Sequence, residues 1–233
     1  MDIDDYWNRE ISRYSDHLTI WLDRYICRPG EYTALKNRFQ NVIQPLNTLN
    51  SEEAEVDEWT TTFLDPEMLN KLKDTVYCLK PFFEIHTCLE FIYENKDKKV
   101  FFISSGSMAK FIVPQIAELP QIHGIYILRD DISCYASDWA QEYSDYIDSM
   151  FDHEDDLLMR VTIDIAKYLE KKGDDYMRLS DNAKAHNCYT WAIKLILRTR
   201  DMGNINYRQM HELLMKKLDE AERNDEIMPM PDD

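Results

Sequence analysis

The tripeptide Ser105-Gly106-Ser107 stands between an apolar run, Lys99–Ser104 (KVFFIS), and a segment of helical spacing that begins at Met108. A small-residue turn from a strand into a helix is where backbone N–H groups converge on an anion. The first N–H groups of a helix have no intrahelical partner, and the helix dipole is positive at that end. Ser107 is the natural N-cap of such a helix. Asp23 closes a second apolar run, Leu18–Asp23 (LTIWLD), and a carboxylate in that place can hold a metal or a ribose hydroxyl. Arg129, Asp130 and Asp131 follow a third run, Ile125–Leu128 (IYIL). If the runs are strands of one sheet, Asp23, Ser104, Ser105, Gly106, Ser107 and Asp130 make a candidate ligand site on its rim. The bland alternative for the Ser-Gly-Ser turn is a place where a helix packs closely on a sheet.

The spacing narrows the chemistry. The turn has neither the GxGxxG nor the Walker A pattern, and it is not the GxSxG of a nucleophile elbow. A phosphoryl receiver requires a carboxylate at the end of its third strand and a lysine after its fifth. Here Ser104 and Ser105 occupy the first position, and no lysine lies near Phe151. The six histidines, His17, His86, His123, His153, His186 and His211, make no HExxH or similar ligand pair. His153 lies between Asp152 and Glu154, which reads as a solvated acidic loop. Cys27, Cys78, Cys88, Cys134 and Cys188 are scattered and odd in number, neither a disulfide framework nor a zinc site, and fit reduced thiols of the cytoplasm. No catalytic residue, metal or cofactor is expected from these patterns.

Charge sets further bounds. The chain of 233 residues has a formal net charge of −17, and such a surface repels nucleic-acid backbones and anionic membranes. The imbalance lies in residues 1–156, with 30 acidic against 14 basic side chains; residues 157–233 carry 14 against 13. The densest acidic run is Glu52, Glu53, Glu55, Asp57 and Glu58. It reads as a solvated loop, or more sharply as a docking face for a basic partner protein. The amino-terminal residues have no signal-peptide pattern, and no stretch approaches the roughly 18 apolar residues of a membrane span.

The elements that would position the rim alternate. Strands are expected at Leu18–Asp23, Val76–Leu79, Lys99–Ser104, Ile125–Leu128 and Ile147–Phe151. Helices are expected at Glu31–Ile43, Thr87–Tyr93, Met108–Leu119 and Ser137–Tyr143, the last capped by Ser137 or Asp138. Pro114 should kink or shorten the third of these. Residues 47–75 read as an acidic insertion, with a helix near Pro66–Leu72. Alternation of this kind predicts an α/β fold with a five-stranded parallel sheet, flavodoxin- or receiver-like, in the order 2-1-3-4-5. Ligands of such sheets bind at the carboxyl ends of the strands.

After residue 155 the pattern becomes purely helical, at Asp156–Lys172, from about Asn182 to Thr199 and at Tyr207–Arg223. Leu169, Gly173, Tyr176, Ala185, Tyr189 and Ala192 fall on the small-and-large pattern of one tetratricopeptide repeat. Gly173 and Ala185 stand where paired helices approach, and the two tyrosines fill the remaining gap. Leu197 replaces the proline usual after the second helix. A three-helix bundle of the microtubule-interacting-and-trafficking type is another reading of these helices. The domains are therefore expected at 1–155 and 156–224, with 225–233 as a mobile tail.

Several stretches together resemble a poorly characterised domain of invertebrate proteins. They are LTIWLD at Leu18–Asp23, LKPFFEIHTCLEFI at Leu79–Ile92, VFFISSGSMAKFIVPQIAEL at Val100–Leu119, IHGIYIL at Ile122–Leu128, and Trp139-Ala140. The resemblance covers roughly 18–155 without the insertion. Such domains precede tetratricopeptide or kinesin-light-chain-like repeats, or an arginine-type mono-ADP-ribosyltransferase domain. It implies an accessory module without the enzyme, since no R-S-E-x-E type signature is present; Glu53-Ala54-Glu55 lies in the acidic insertion. Two functions follow as expectations. One is a non-catalytic protein interaction or adaptor module. The other is a nucleotide or phosphate sensor, linked to NAD or ADP-ribose chemistry, acting through the Ser104–Ser107 turn. A rim plugged by Trp21, Phe102 or Met108 favours the first, and an open polar pocket favours the second.

Overall fold

The structure is a computed structural model. It describes residues 16–26, 32, 77–128 and 138–227, with residues 138 and 225–227 described by backbone only. The helix expected at 31–43, the insertion at 47–75, Arg129, Asp130, Asp131, Cys27, Cys134, Ser137 and the end of the tail lie outside the described residues. The described part divides into two compact units, one up to Val161 and one from Thr162.

The first unit contains β1 (His17–Leu22), β2 (Leu79–Phe82), α1 (Ile85–Glu94), β3 (Lys99–Ser105), α2 (Gly106–Ile116), β4 (Ile122–Leu128), α3 (Asp138–Glu142) and β5 (Ser149–Phe151). All four strand pairings are parallel, and the order is β2-β1-β3-β4-β5, as the alternation predicts. It is an α/β fold. β1 is buried along its whole length and β3 at every residue after Lys99. A parallel strand covered on both faces needs such an unbroken apolar run. On one face Ile20, Leu22, Val100, Phe102, Ile125 and Ile127 pack with Cys88 and Ile92 of α1 and with Met108, Ile112 and Ile116 of α2. The alternating residues Trp21, Phe101, Ile103 and Tyr126 belong to the other face and are also buried.

Where boundaries differ from expectation, single residues account for it. β2 is expected from Val76 but begins at Leu79, because Cys78 takes a left-handed conformation, φ +49°, that breaks the strand. It then runs through Pro81. A proline is tolerated there because, among the described residues, β2 is bonded only to β1, and a missing N–H can face away from it. β4 starts three residues early, at Ile122. Its register slips by one residue between Val100 and Phe101, leaving His123 as the extra one. At the next residue, Gly124, a Cβ would stand 2.5 Å from the hydroxyl of Tyr126, so glycine lets that side chain lie flat along the strand. β5 is shorter than expected. Asp148, just before it, uses both its backbone N–H and its Oδ2 to hold the backbone of Ile125, at 2.9 and 2.8 Å.

The expected cap of α2 is corrected. The helix begins at Gly106, two residues before the expected start, so Ser107 lies inside it and Ser105 is the cap residue, without a side-chain cap bond. Ser105 Oγ turns instead towards Ser107 Oγ, 3.3 Å away. Pro114, which has no N–H to offer the carbonyl one turn back, is followed by only two more helical residues.

The helices are α4 (Glu154–Arg178), α5 (Asn182–Asp201) and α6 (Tyr207–Ile227). The helix expected at Asp156–Lys172 is longer at both ends, although glycine costs about 1 kcal/mol in a helix relative to alanine. Gly173 nevertheless continues α4 for reasons of packing given below. Asp181 caps α5 by accepting from the Lys184 N–H at 3.2 Å. At the other end Gly203 takes φ +90°, the conformation that lets the chain turn back after a helix. α6 packs against α5, and its Leu214, Leu218 and Ala221 are buried. No helix among the described residues is long and apolar enough to cross a membrane.

Candidate functional site

The rim forms where β1 and β3 end together. Leu22 is paired with Ser104, so Asp23 and Ser105 follow on adjacent strands, at the point where the connections diverge to β2 and β4. This is the position at which α/β sheets bind ligands. Asp23 is only 2% exposed. Its Oδ1 accepts from the Tyr25 N–H at 2.6 Å, and its Oδ2 accepts from the Tyr32 hydroxyl at 3.2 Å. The first bond is an Asx-turn, in which the side chain folds the backbone that follows it. The ring of Tyr32 also lies against Trp21, centroids 5.4 Å apart. Both carboxylate oxygens thus hold the turn after β1.

Ser104 is fully buried, and its hydroxyl donates to the carbonyl of Ser105 at 3.2 Å. Ser105 and Gly106 are buried, and only Ser107 reaches the surface. The structure therefore brings Asp23 and Ser104–Ser107 to one end of the sheet, with Asp130 outside the described residues. Trp21, Phe102 and Met108 are buried. Among the described residues no three His, Cys, Asp or Glu side chains are grouped to hold a metal ion. Burial pushes the Cys88 thiol up to about 12, which leaves it without nucleophilic character near neutral pH.

Of the six repeat-signature residues, Leu169, Gly173 and Tyr176 lie on α4 and Ala185, Tyr189 and Ala192 on α5, and Gly173 meets Tyr189. Leu169, Gly173, Ala185, Tyr189 and Ala192 are buried and Tyr176 is half-buried. A Cβ on Gly173 would lie 2.4 Å from Cε1 of Tyr189. The glycine is required by that ring. The Tyr189 hydroxyl donates to Asp174 Oδ1 at 2.8 Å. Burial and this carboxylate push the hydroxyl far above its ordinary range, so it remains a donor. Lys184 and Lys172 stand over the ring of Tyr176, at 5.5 and 5.9 Å.

One constellation is not apparent from linear spacing. Lys217 of α6 donates to Glu170 Oε1 at 2.7 Å and to both oxygens of Asp174 at 2.8 Å. Burial lowers the Lys217 pKa, but the bonds to Asp174 and Glu170 outweigh it and hold the group above its ordinary value. The signal in the sequence is a lysine set within the apolar stripe Met210, Leu214, Leu218, Ala221, together with two acids one helical turn apart. Family models, curated proteins and solved structures were all searched, and none matches this chain.

Proposed function

We propose that the chain is a non-catalytic protein interaction or adaptor module of the cytoplasm. On this reading a flavodoxin- or receiver-like domain, 1–155, precedes a tetratricopeptide-like helical segment, 156–224, and the module is the accessory domain that the sequence resembles. The observation that carries it is the state of the rim. Asp23 and Ser104, the groups best placed for ligand chemistry, are bonded to the chain's own turns. The close approach at Gly173 supports the repeat-like reading of the helices. The excess of acid over base favours a basic protein partner.

The sensor reading keeps one specific observation. α2 begins at the rim without a side-chain cap, so its first N–H groups are oriented for an anion beside the Ser107 hydroxyl. A thermal-shift panel separates the two. NAD, ADP-ribose, ATP and GTP with magnesium, and beryllofluoride with magnesium are each expected to leave the melting temperature unchanged. A set of basic peptides is expected to bind the intact chain saturably and more weakly as salt rises. A ligand at about 100 times its Kd would stabilise the chain by about 2.7 kcal/mol. Such a shift with a nucleotide, abolished by Ser107→Ala, would replace the adaptor reading with the sensor.

A further inference from the structure

We propose that the outer groove between α1 and α2 is the docking surface for a basic amphipathic helix of a partner protein, with Tyr93 and Phe111 as apolar anchors and Glu90, Glu94 and Glu118 as a charged rim. That such a partner exists rests on the interaction-module reading. The place where it binds rests on the geometry of the two helices.

α1 and α2 pack against each other over one face of the sheet. Their inner sides are spent on the core, through Cys88 and Ile92 of α1 and Ala109, Ile112 and Ile116 of α2. Their outer sides do not become wholly polar. Phe111 is 57% exposed and Tyr93 is 42% exposed. Hydrogen bonds tie the two into one surface. The Tyr93 hydroxyl donates across the groove to the Gln115 carbonyl at 3.5 Å, and Gln115 Nε2 donates along α2 to the Phe111 carbonyl at 2.8 Å. Leu89, half-buried, lies one turn before Tyr93 on the same side of α1. A single exposed aliphatic side chain needs no explanation. Two aromatic rings that flank one residue of a helix–helix groove are the kind of anchor on which protein interfaces depend.

Charge identifies the occupant. Glu90 and Glu94 stand one turn apart on the exposed side of α1, and Glu118 is exposed just past the end of α2. Glu118 Oε1 accepts from the hydroxyl of Tyr146, another exposed ring, at 3.4 Å. Against these acids α2 offers Lys110, whose Nζ lies over the Phe111 ring at 4.8 Å. His86, 3.5 Å from Glu90, adds a cation only when protonated. A second copy of the chain would bring the same carboxylates, and another net charge of −17, against this rim, and like charge opposes that pairing. A basic amphipathic helix brings apolar side chains to the rings and cations to the carboxylates. Two helices lying against each other present the groove into which the ridge of a third fits.

Titration of the 15N-labelled full chain tests the surface. The probe is an amphipathic peptide of leucine and lysine, about 15 residues long, which is enough to form a helix in contact with the groove. The control peptide carries glutamate in place of every lysine. The lysine peptide is expected to shift the amides of α1 and α2 and not those of α5 and α6, and the glutamate peptide to shift none. Phe111→Ser changes an exposed position and should weaken the lysine peptide about tenfold or more. Glu90→Gln/Glu94→Gln should weaken it at low salt and much less where salt already screens the rim. The shift map on the wild type decides the matter if Phe111→Ser does not fold. Shifts centred on other elements, or affinity that survives Phe111→Ser, overturn the groove and leave the interaction-module reading standing. Absence of binding by any basic peptide overturns that reading and the groove with it. Sedimentation of the free chain tests the other occupant. A dimer that Phe111→Ser dissociates would give the groove to a second copy and overturn the basic partner.

Discussion

Gly173→Leu is expected to destabilise the helical unit by about 3 kcal/mol, lowering its unfolding midpoint by ~10 °C or more. The first side-chain carbon would stand 2.4 Å from Cε1, 2.8 Å from Cδ1 and 2.9 Å from Cζ of Tyr189. Carbon atoms in contact prefer about 3.5–4.0 Å. The ring has no easy escape, since it is buried and its hydroxyl is tied to Asp174. The two helices must separate, and the leucine brings three more carbons into the gap. Gly173→Ala is the milder test. Alanine gains up to about 1 kcal/mol in helix propensity but loses about 1–3 to overpacking, so a smaller net loss is expected. Hydrogen exchange locates the damage. Amides of α4 beyond Thr162, of α5 and of α6 should lose protection in the leucine variant, while those of β1 and β3 keep theirs. An unchanged melting temperature, or loss that begins in the sheet, would refute the close-packed hairpin.

The same residues show what a linear reading reaches. β1 and β3 are legible because strands covered on both faces carry continuous apolar runs, and LTIWL and VFFIS are such runs. β2 is not, because a left-handed Cys78 and Pro81 move it three residues along. The start of β4 is hidden by His123 and Gly124, whose places are set by the slip against β3 and by the Tyr126 side chain. The spacing of the repeat signature predicts the contact at Gly173, since glycine there has meaning only if a large side chain faces it. The rim is another matter. An aspartate after an apolar strand looks the same whether it awaits a metal or folds its own turn. Tyr32, nine residues further on, takes its second oxygen. The Lys217 constellation is further from view, since its bonds join residues 43 and 47 positions apart.

Ser104→Asp puts the rim to the opposite test, because it restores a carboxylate where a phosphoryl receiver requires one. The expected result is a loss of about 3–5 kcal/mol at neutral pH and no response to beryllofluoride with magnesium. Ser104 is fully buried, between Leu22 of β1 and Ile127 of β4. A carboxylate there has lost water and has Asp23, a like charge, beginning on the neighbouring strand. Both effects favour the protonated acid, so its pKa in the folded chain lies above the unfolded value of about 3.9. The penalty is therefore complete above the folded pKa and fades as pH falls towards the unfolded one. Relative to wild type, the variant should recover stability between neutral pH and about pH 4, whereas the neutral Ser104→Asn should show no such recovery. Urea unfolding at several pH values reads this directly. A variant as stable as wild type at neutral pH would mean that the rim already holds a compensating positive charge or an open, hydrated cavity. Either would return the rim to ligand chemistry, and the sensor reading would then take the place of the adaptor.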